Sequence, residues 1–117
     1  MKNIPIKPNI EFKDFEKLDV RVGTIEKAED IKGSDKLVRL KVDFGEFQRN
    51  IIAGMKKERE DLQEIEGKQA LFIVNLPPKK MMGEMSEGML FDIGYANEIT
   101  PVLAMPEKEV PDGVCAG

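Results

Sequence analysis

The sequence of 117 residues contains no histidine and no tryptophan, and it has a single cysteine, Cys115. Without histidine, the chain excludes every catalytic triad and every metal site that is built on imidazole. One cysteine cannot form an internal disulfide or a multi-cysteine zinc site. We therefore expect no cofactor, and an enzyme built from this chain would have to rely on carboxylates and lysines.

Long apolar runs are also missing. No stretch approaches the roughly 20 apolar residues that a membrane-spanning helix needs. The opening segment, MKNIPIKP, lacks the apolar core of a secretory signal. The hydrophobic fraction of 41% and the charged fraction of 34% are typical of one globular domain. We expect a cytoplasmic protein without a membrane partner.

Acidic residues outnumber basic ones, 22 to 18, but the two signs are unevenly distributed along the chain. Residues 32–80 carry 11 basic and 8 acidic side chains, whereas residues 81–117 carry 1 basic and 7 acidic side chains. The net charge of −4 argues against a nucleic-acid partner. The positive middle segment argues in the other direction, because it can form a local basic face on the folded domain.

Alternating apolar and polar residues predict most of the secondary structure. Val38, Leu40 and Val42, for example, alternate with charged side chains. Strands are predicted at residues 18–24, 37–44, 47–53, 69–76, 88–95 and 100–105, and the charged segment 56–66 predicts a short helix. Three strands, a helix and two strands is the order of the OB barrel. The pattern favours an all-β, five-stranded OB-fold barrel with a short helix between strands 3 and 4; an SH3-like barrel or a small sandwich fits the strand count nearly as well.

The loop at residues 75–89, NLPPKKMMGEMSEGM, is the most informative segment. Its two prolines hold Lys79 and Lys80 at the rim of the predicted barrel, where lysines can contact phosphates in a nearly fixed geometry. Asn75 interrupts an apolar strand just before the prolines. Its amide either satisfies loop backbone groups or hydrogen-bonds a base or a ribose, and both interpretations are open at this point.

Basic residues also lie on the polar faces of the first three predicted strands: Arg21, Arg39, Lys41 and Arg49. They form either a solvated outer face or the face that OB folds use for nucleic acid. Exposed aromatics for stacking are scarce, with Phe47 the only candidate on these strands. Recognition of a folded RNA by shape and phosphate is therefore better supported than stacking on a single strand.

Several spaced motifs together resemble a known family. They are LDVRVGTI (18–25), SDKL (34–37), VDFGE (42–46), IAG (52–54), NLPPKKM (75–81), SEGM (86–89) and PEKEVP (106–111). In this order they are similar to the tRNA-binding domain found at the C-terminus of many methionyl-tRNA synthetases and in freestanding tRNA-binding proteins. The resemblance covers residues 14–113, which defines an N-terminal arm at 1–13 and a tail at 114–117.

The resemblance implies a noncatalytic OB-fold domain that binds tRNA without reading its bases. Carried over by position, the implied tRNA contacts are Arg21, Lys36, Arg49, Asn75, Lys79, Lys80 and Ser86. Freestanding relatives form homodimers, which here implies an interface from residues 1–17 and about 95–113. Because the motifs follow Met1 without a catalytic domain, the chain resembles a separate β subunit of methionyl-tRNA synthetase, with the catalytic subunit as a possible partner.

A second function follows from a similar branch of the family, the homodimeric export-related chaperones that bind unfolded peptides. This alternative predicts an apolar groove lined by Met82, Met85 and Phe47. An enzymatic function has no residues to support it, because no carboxylate pair stands in an apolar sequence context that would perturb its pKa.

Overall fold

The computed structural model describes all 117 residues, and most of its regular secondary structure is β. Helix is limited to α1 (Phe12–Phe15) and two turns of 3-10 helix, Leu62–Ile65 and Tyr95–Asn97. The strands are β1 (Val20–Asp30), β2 (Val38–Asp43), β3 (Gln48–Ala53), β4 (Gln69–Ile73), β5 (Lys79–Met81), β6 (Glu84–Ser86), β7 (Met89–Leu90), β8 (Asp92–Ile93), β9 (Val102–Leu103) and β10 (Cys115–Ala116). None of the helices has the length and apolarity needed to cross a lipid bilayer.

Five strands form the barrel, in the spatial order β3-β2-β1-β4-β7, and all neighbours are antiparallel. The first half of β1 pairs with β4 and the second half with β2, and a register shift between Ile25 and Lys27 lies within the β2 pairing. Such a bulge bends a strand and helps a sheet to curl. Near β7, the Glu87 N–H donates to the Asn50 carbonyl of β3 at 2.8 Å, which nearly closes the barrel. The predicted OB-fold class is confirmed.

The core lies inside this barrel, and the alternation of the second strand predicts its inner face correctly. Val38, Leu40 and Val42 are fully buried. Phe44 packs edge-on against Phe72 of β4, with ring centroids 5.5 Å apart. Burial of these side chains removes apolar surface from water, which is the main favourable contribution to folding.

The structure differs from the predicted elements in several places. The first strand, predicted at 18–24, continues to Asp30 as β1. The helix predicted at 56–66 is only the 3-10 turn Leu62–Ile65, although both of these residues are buried as their spacing requires. The strand predicted at 88–95 is split into β7 and β8, and β8 leaves the barrel to pair with β9. The loop 75–89 contains a hairpin, β5–β6, that the alternation did not predict.

Both ends of the chain are tied to the rest of the domain by hydrogen bonds. Residues 1–11 form an irregular exposed arm, which is tied back at Lys2 by two hydrogen bonds of 2.8 Å with Asn97. At the other end, β10 adds to the edge of β1, with Cys115 opposite Arg21. Asp112 fixes this final segment by accepting hydrogen bonds from Thr24 and Gln69.

Candidate nucleic-acid interface

The hairpin β5–β6 presents Lys79 and Lys80 on an exposed ribbon between the fourth and fifth barrel strands. Its two-residue turn, Met82 and Gly83, has positive φ at both positions, 50° and 78°. Two positive values are the property of a type I′ turn, whose twist matches that of the flanking strands. The turn therefore fixes the register that places Lys79 opposite Ser86 and Lys80 opposite Met85.

Ser86 anchors the base of this hairpin from inside the protein. It is a buried polar residue, with 4% of its surface exposed. Its hydroxyl accepts a hydrogen bond from the Ile52 N–H at 3.0 Å and donates to the Gly88 carbonyl at 3.1 Å. The hydroxyl thus acts as both acceptor and donor within the protein. Ser86 supports the site structurally, and its side chain does not face solvent.

Arg49 lies on β3 beside the base of the hairpin. Its Nη1 donates to the carbonyls of Val74 and Glu87, at 3.0 and 2.9 Å, and its guanidinium carbon lies 4.9 Å from the centre of the Phe47 ring. Nε and Nη2 have no protein partner. Arg49 thus stabilises the loop through one nitrogen and keeps two donor groups for a ligand such as a phosphate.

Arg21 is held mainly by Asp19, which directly precedes its strand. Its guanidinium makes a two-point contact with Asp19, at 2.9 and 3.2 Å, and a long contact of 3.5 Å with the Gly113 carbonyl. The hydrogen bond and the charge of Asp19 raise the pKa of Arg21 above its ordinary value. Most of its donor capacity is therefore used inside the chain.

Asn75 joins the barrel to the segment before β1. Its Nδ2 donates to the Lys17 carbonyl at 2.7 Å, and its Oδ1 accepts from the Asp19 N–H at 2.9 Å. Of the two interpretations of Asn75, the structure shows the one in which the amide satisfies backbone groups. Contact between Asn75 and tRNA stays a prediction. It would use the hydrogen-bonding positions of this exposed amide that the two backbone contacts leave free.

Lys36 lies on the turn between β1 and β2. It lines a surface groove of about 590 Å³ together with Lys57, Tyr95 and Thr100. Of the seven predicted contact residues, the structure brings Lys79, Lys80 and Ser86 onto one hairpin, with Arg49 bonded to its base. Arg21 and Asn75 are held near the start of β1.

Comparison with known proteins identifies the family of the chain. A family model described as "Putative tRNA binding domain" matches residues 20–114. The chain belongs to this tRNA-binding domain family. The resemblance stated from the sequence motifs is therefore confirmed.

Relatives of this tRNA-binding domain include much longer proteins. The methionine–tRNA ligase of Bacteroides fragilis is 41% identical over 109 residues, 93% of this chain and 16% of that protein. The methionine–tRNA ligase of Methanothrix thermoacetophila is 48% identical over 107 residues, 92% of this chain and 15% of that protein. The chain thus spans about one sixth of the length of these curated relatives.

Two solved structures match the tRNA-binding domain along nearly its whole length. A MetRS-related protein from Pyrococcus horikoshii has 36% identity and a TM-score of 0.86, and the match covers 95% of this chain and 100% of that one. The chaperone CsaA from Bacillus anthracis has 32% identity and a TM-score of 0.81, covering 94% of this chain and 100% of that one. Proteins of two different described roles therefore share this fold.

A buried carboxylate with a perturbed pKa, Glu58, was not predicted from the sequence. The side chains of Glu58 and Arg59 are 8% and 11% exposed, and Arg59 Nη1 lies 3.8 Å from Glu58 Oε1. Burial, together with a hydrogen bond and charge repulsion from Asp92, raises the pKa of Glu58 to about 7. The expectation that no carboxylate is perturbed was wrong, because Glu58 and Asp92 are far apart in sequence and meet only when β8 packs beside the 54–61 segment.

Stability of the tRNA-binding domain is predicted to fall as pH rises through the titration of Glu58. The folded state keeps a proton that the unfolded state releases above the ordinary pKa of 4.5, so the loss occurs between pH 4.5 and about 7. From this one group we expect a decrease of about 1–3 kcal/mol in the free energy of unfolding. Urea denaturation at about pH 4.5 and about pH 8 measures it.

Glu58→Gln should remove most of this pH dependence, because the amide is neutral at both pH values. The matched control is Glu60→Gln, a change at an exposed neighbour that should leave the dependence intact. Equal pH dependence in Glu58→Gln and the unchanged protein would contradict the assignment.

Proposed function

We propose that this chain is a noncatalytic tRNA-binding protein that recognises the folded shape of tRNA through its phosphates. The observation that carries the proposal is the position of Lys79 and Lys80 on a hairpin in the connection between the fourth and fifth barrel strands. OB folds bind nucleic acids with this connection, with the connection between strands 1 and 2, and with the face of strands 2 and 3. Lys36 lies in the second of these places and Arg49 on the third.

The aromatic side chains favour phosphate contacts over base stacking. Phe47 stacks on Phe44 with ring centroids 5.1 Å apart, and Arg49 covers its ring at 4.9 Å. Phe47, the aromatic candidate on the first three strands, is therefore not an open platform for bases. Contacts to phosphates position a protein on RNA but carry no sequence information. We accordingly propose recognition of tRNA shape without base reading.

The seven residues carried over from the family divide into two roles. We propose that Lys36, Arg49, Lys79 and Lys80 contact tRNA, because each keeps a free cationic group. Arg21, Asn75 and Ser86 have their polar groups largely used within the protein, and we propose that they hold the contact surface in shape.

A synthetase is the partner that this function implies. The relatives are methionine–tRNA ligases in which the matching segment is only about one sixth of the protein. We propose that this chain acts in the cytoplasm as a β subunit of methionyl-tRNA synthetase, or as a freestanding equivalent. A second tRNA contact raises affinity through effective concentration, without new chemistry.

A second copy of the chain is the proposed occupant of an apolar surface that the arm shares with β8 and β9. In this ribbon Ile93 lies opposite Val102, and the two are 50% and 53% exposed. The hydrogen bonds between Lys2 and Asn97 bring the exposed arm to the same side of the barrel. Neighbouring exposed apolar side chains are a feature of interaction surfaces, and we propose a homodimer there.

The chaperone function is supported by the match to CsaA and by one apolar groove. The groove is lined by Leu76, Pro77, Met81 and Met89, beside Lys79. Of the residues predicted to line such a groove, Met82 and Met85 are exposed on the hairpin, 57% and 49%, but Phe47 packs on Phe44 instead. Peptide binding in this groove depends on apolar burial and so responds little to salt, unlike binding to phosphates.

Replacing Lys79 and Lys80 with alanine should weaken tRNA binding by about an order of magnitude at low salt. Each lysine that contacts a phosphate releases a counterion, so the slope of log affinity against log salt should decrease by about 2. Fluorescence anisotropy with labelled tRNA at several salt concentrations gives both values.

The control for this experiment is Lys68→Ala with Lys108→Ala. These lysines carry the same total charge but lie together in a different groove, beside Glu107 and Glu109. They should leave the tRNA affinity nearly unchanged. Equal losses in the two double variants would mean that overall charge, and not the hairpin, determines binding.

Replacing Ile93 and Val102 with glutamate should convert the dimer to a monomer, because two buried charges would face their copies across the interface. Analytical ultracentrifugation measures the oligomeric state. Met82→Glu replaces an equally exposed apolar residue on the hairpin and should remain dimeric. A monomeric unchanged protein, or a dimeric Ile93→Glu and Val102→Glu variant, would contradict the proposed interface.

A further inference from the structure

Two kinds of contact hold the lysine hairpin on the barrel. At its base, Ser86 Oγ and Glu87 Oε1 accept hydrogen bonds from the backbone N–H groups of Ile52 and Asn50, at 3.0 Å each. Near its tip there is one side-chain ion pair. Arg39 of β2 donates through Nε and Nη2 to the two carboxylate oxygens of Glu84, the second bond at 2.7 Å.

Lys80 lies between these two anchors. Lys80 pairs with Met85 on the opposite strand. The two neighbours of Met85, Glu84 and Ser86, are the residues that the barrel holds. The base contacts involve backbone groups that the barrel keeps in place in any case. Beyond those base contacts, the part of the hairpin from Lys80 to Met85 has Arg39 as its side-chain anchor.

The Arg39–Glu84 pair is well suited to this role. The contact is bidentate, and both side chains are only 28% exposed, which limits screening by salt. The hydrogen bond to Arg39 lowers the pKa of Glu84, and the same bond raises the pKa of Arg39. Both groups therefore stay ionised at ordinary pH. The pair also neutralises an acidic group that would otherwise repel a phosphate beside the lysines.

We infer that Arg39 and Glu84 are positioning residues that hold the hairpin, and Lys80 beside Lys79 on it, toward the phosphates of tRNA without touching the RNA. This inference rests on the proposed tRNA-binding function. It assigns Arg39 a role that differs from that of Arg49, although both lie on the basic outer face of adjacent strands.

Glu84→Gln is the sharpest test, because overall charge and positioning predict opposite results. Removing an acidic group makes the protein more positive, which by itself strengthens attraction to RNA. Loss of the anchor instead weakens tRNA binding by about two- to fivefold, the range that one partly exposed ion pair can supply. The matched control is Glu29→Gln, which removes the same charge from the other acidic neighbour of Arg39, 3.8 Å from Nη1 and outside the hairpin.

The measurement is an anisotropy titration of labelled tRNA with each full-length variant. Glu84→Gln should weaken binding, and Glu29→Gln should leave it equal or stronger. In a background that also carries Lys79→Ala and Lys80→Ala, Glu84→Gln should have no further effect, because the groups that it positions are gone. Arg39→Lys keeps the charge but loses the two-point contact, so it should reproduce the loss in a variant with unchanged net charge.

The outcomes separate this inference from the proposed function. If Glu84→Gln and Glu29→Gln behave alike, or if the loss persists without the two lysines, the positioning role is overturned while tRNA binding by the hairpin stands. If Lys79→Ala with Lys80→Ala binds tRNA like the unchanged protein, the proposed contact surface and the positioning role both fail.

Discussion

The architecture depends on the pairing of one long strand with two different neighbours. β1 pairs with β4 along its first half and with β2 along its second half. This one strand therefore connects the two sides of the barrel. Gly23 lies where this strand crosses the core. A Cβ atom there would come within 2.6 Å of Val42 and 2.8 Å of Phe44. Glycine thus permits the close packing that the curled sheet requires.

The proposed function uses the rigidity that this closure creates. Because β3 meets the segment before β7, its backbone has N–H groups available for Ser86 and Glu87, and the hairpin has a fixed base. Arg39 on β2 extends the support toward the tip. The barrel therefore supplies the geometry, and a few exposed lysines on its rim supply the attraction to phosphate. A protein with a net charge of −4 can bind an acidic partner in this way, since the local field and not the total charge acts at the contact.

Sequence patterns predicted the features that depend on local periodicity. The inner face of β2, the fold class and the family followed from alternation and motif order. The β5–β6 hairpin did not, because Met82 adopts positive φ, which its residue type does not suggest. Contacts between residues that are distant in the sequence could not be predicted either. Ser86 and Asn75 are polar residues in a loop by sequence, but tertiary contacts to Ile52 and Lys17 give them structural roles, and the environment of Glu58 arises from Asp92.

The central claim is that the domain recognises folded tRNA through its phosphates. The most direct measurement compares binding of total tRNA with binding of an unstructured RNA of equal length, by anisotropy at low and at moderate salt. The account predicts tighter binding to tRNA and a steep loss of affinity as salt rises. Equal affinity for the two RNAs would contradict recognition of shape. Absence of binding even at low salt would contradict the RNA function itself and favour the peptide-binding alternative.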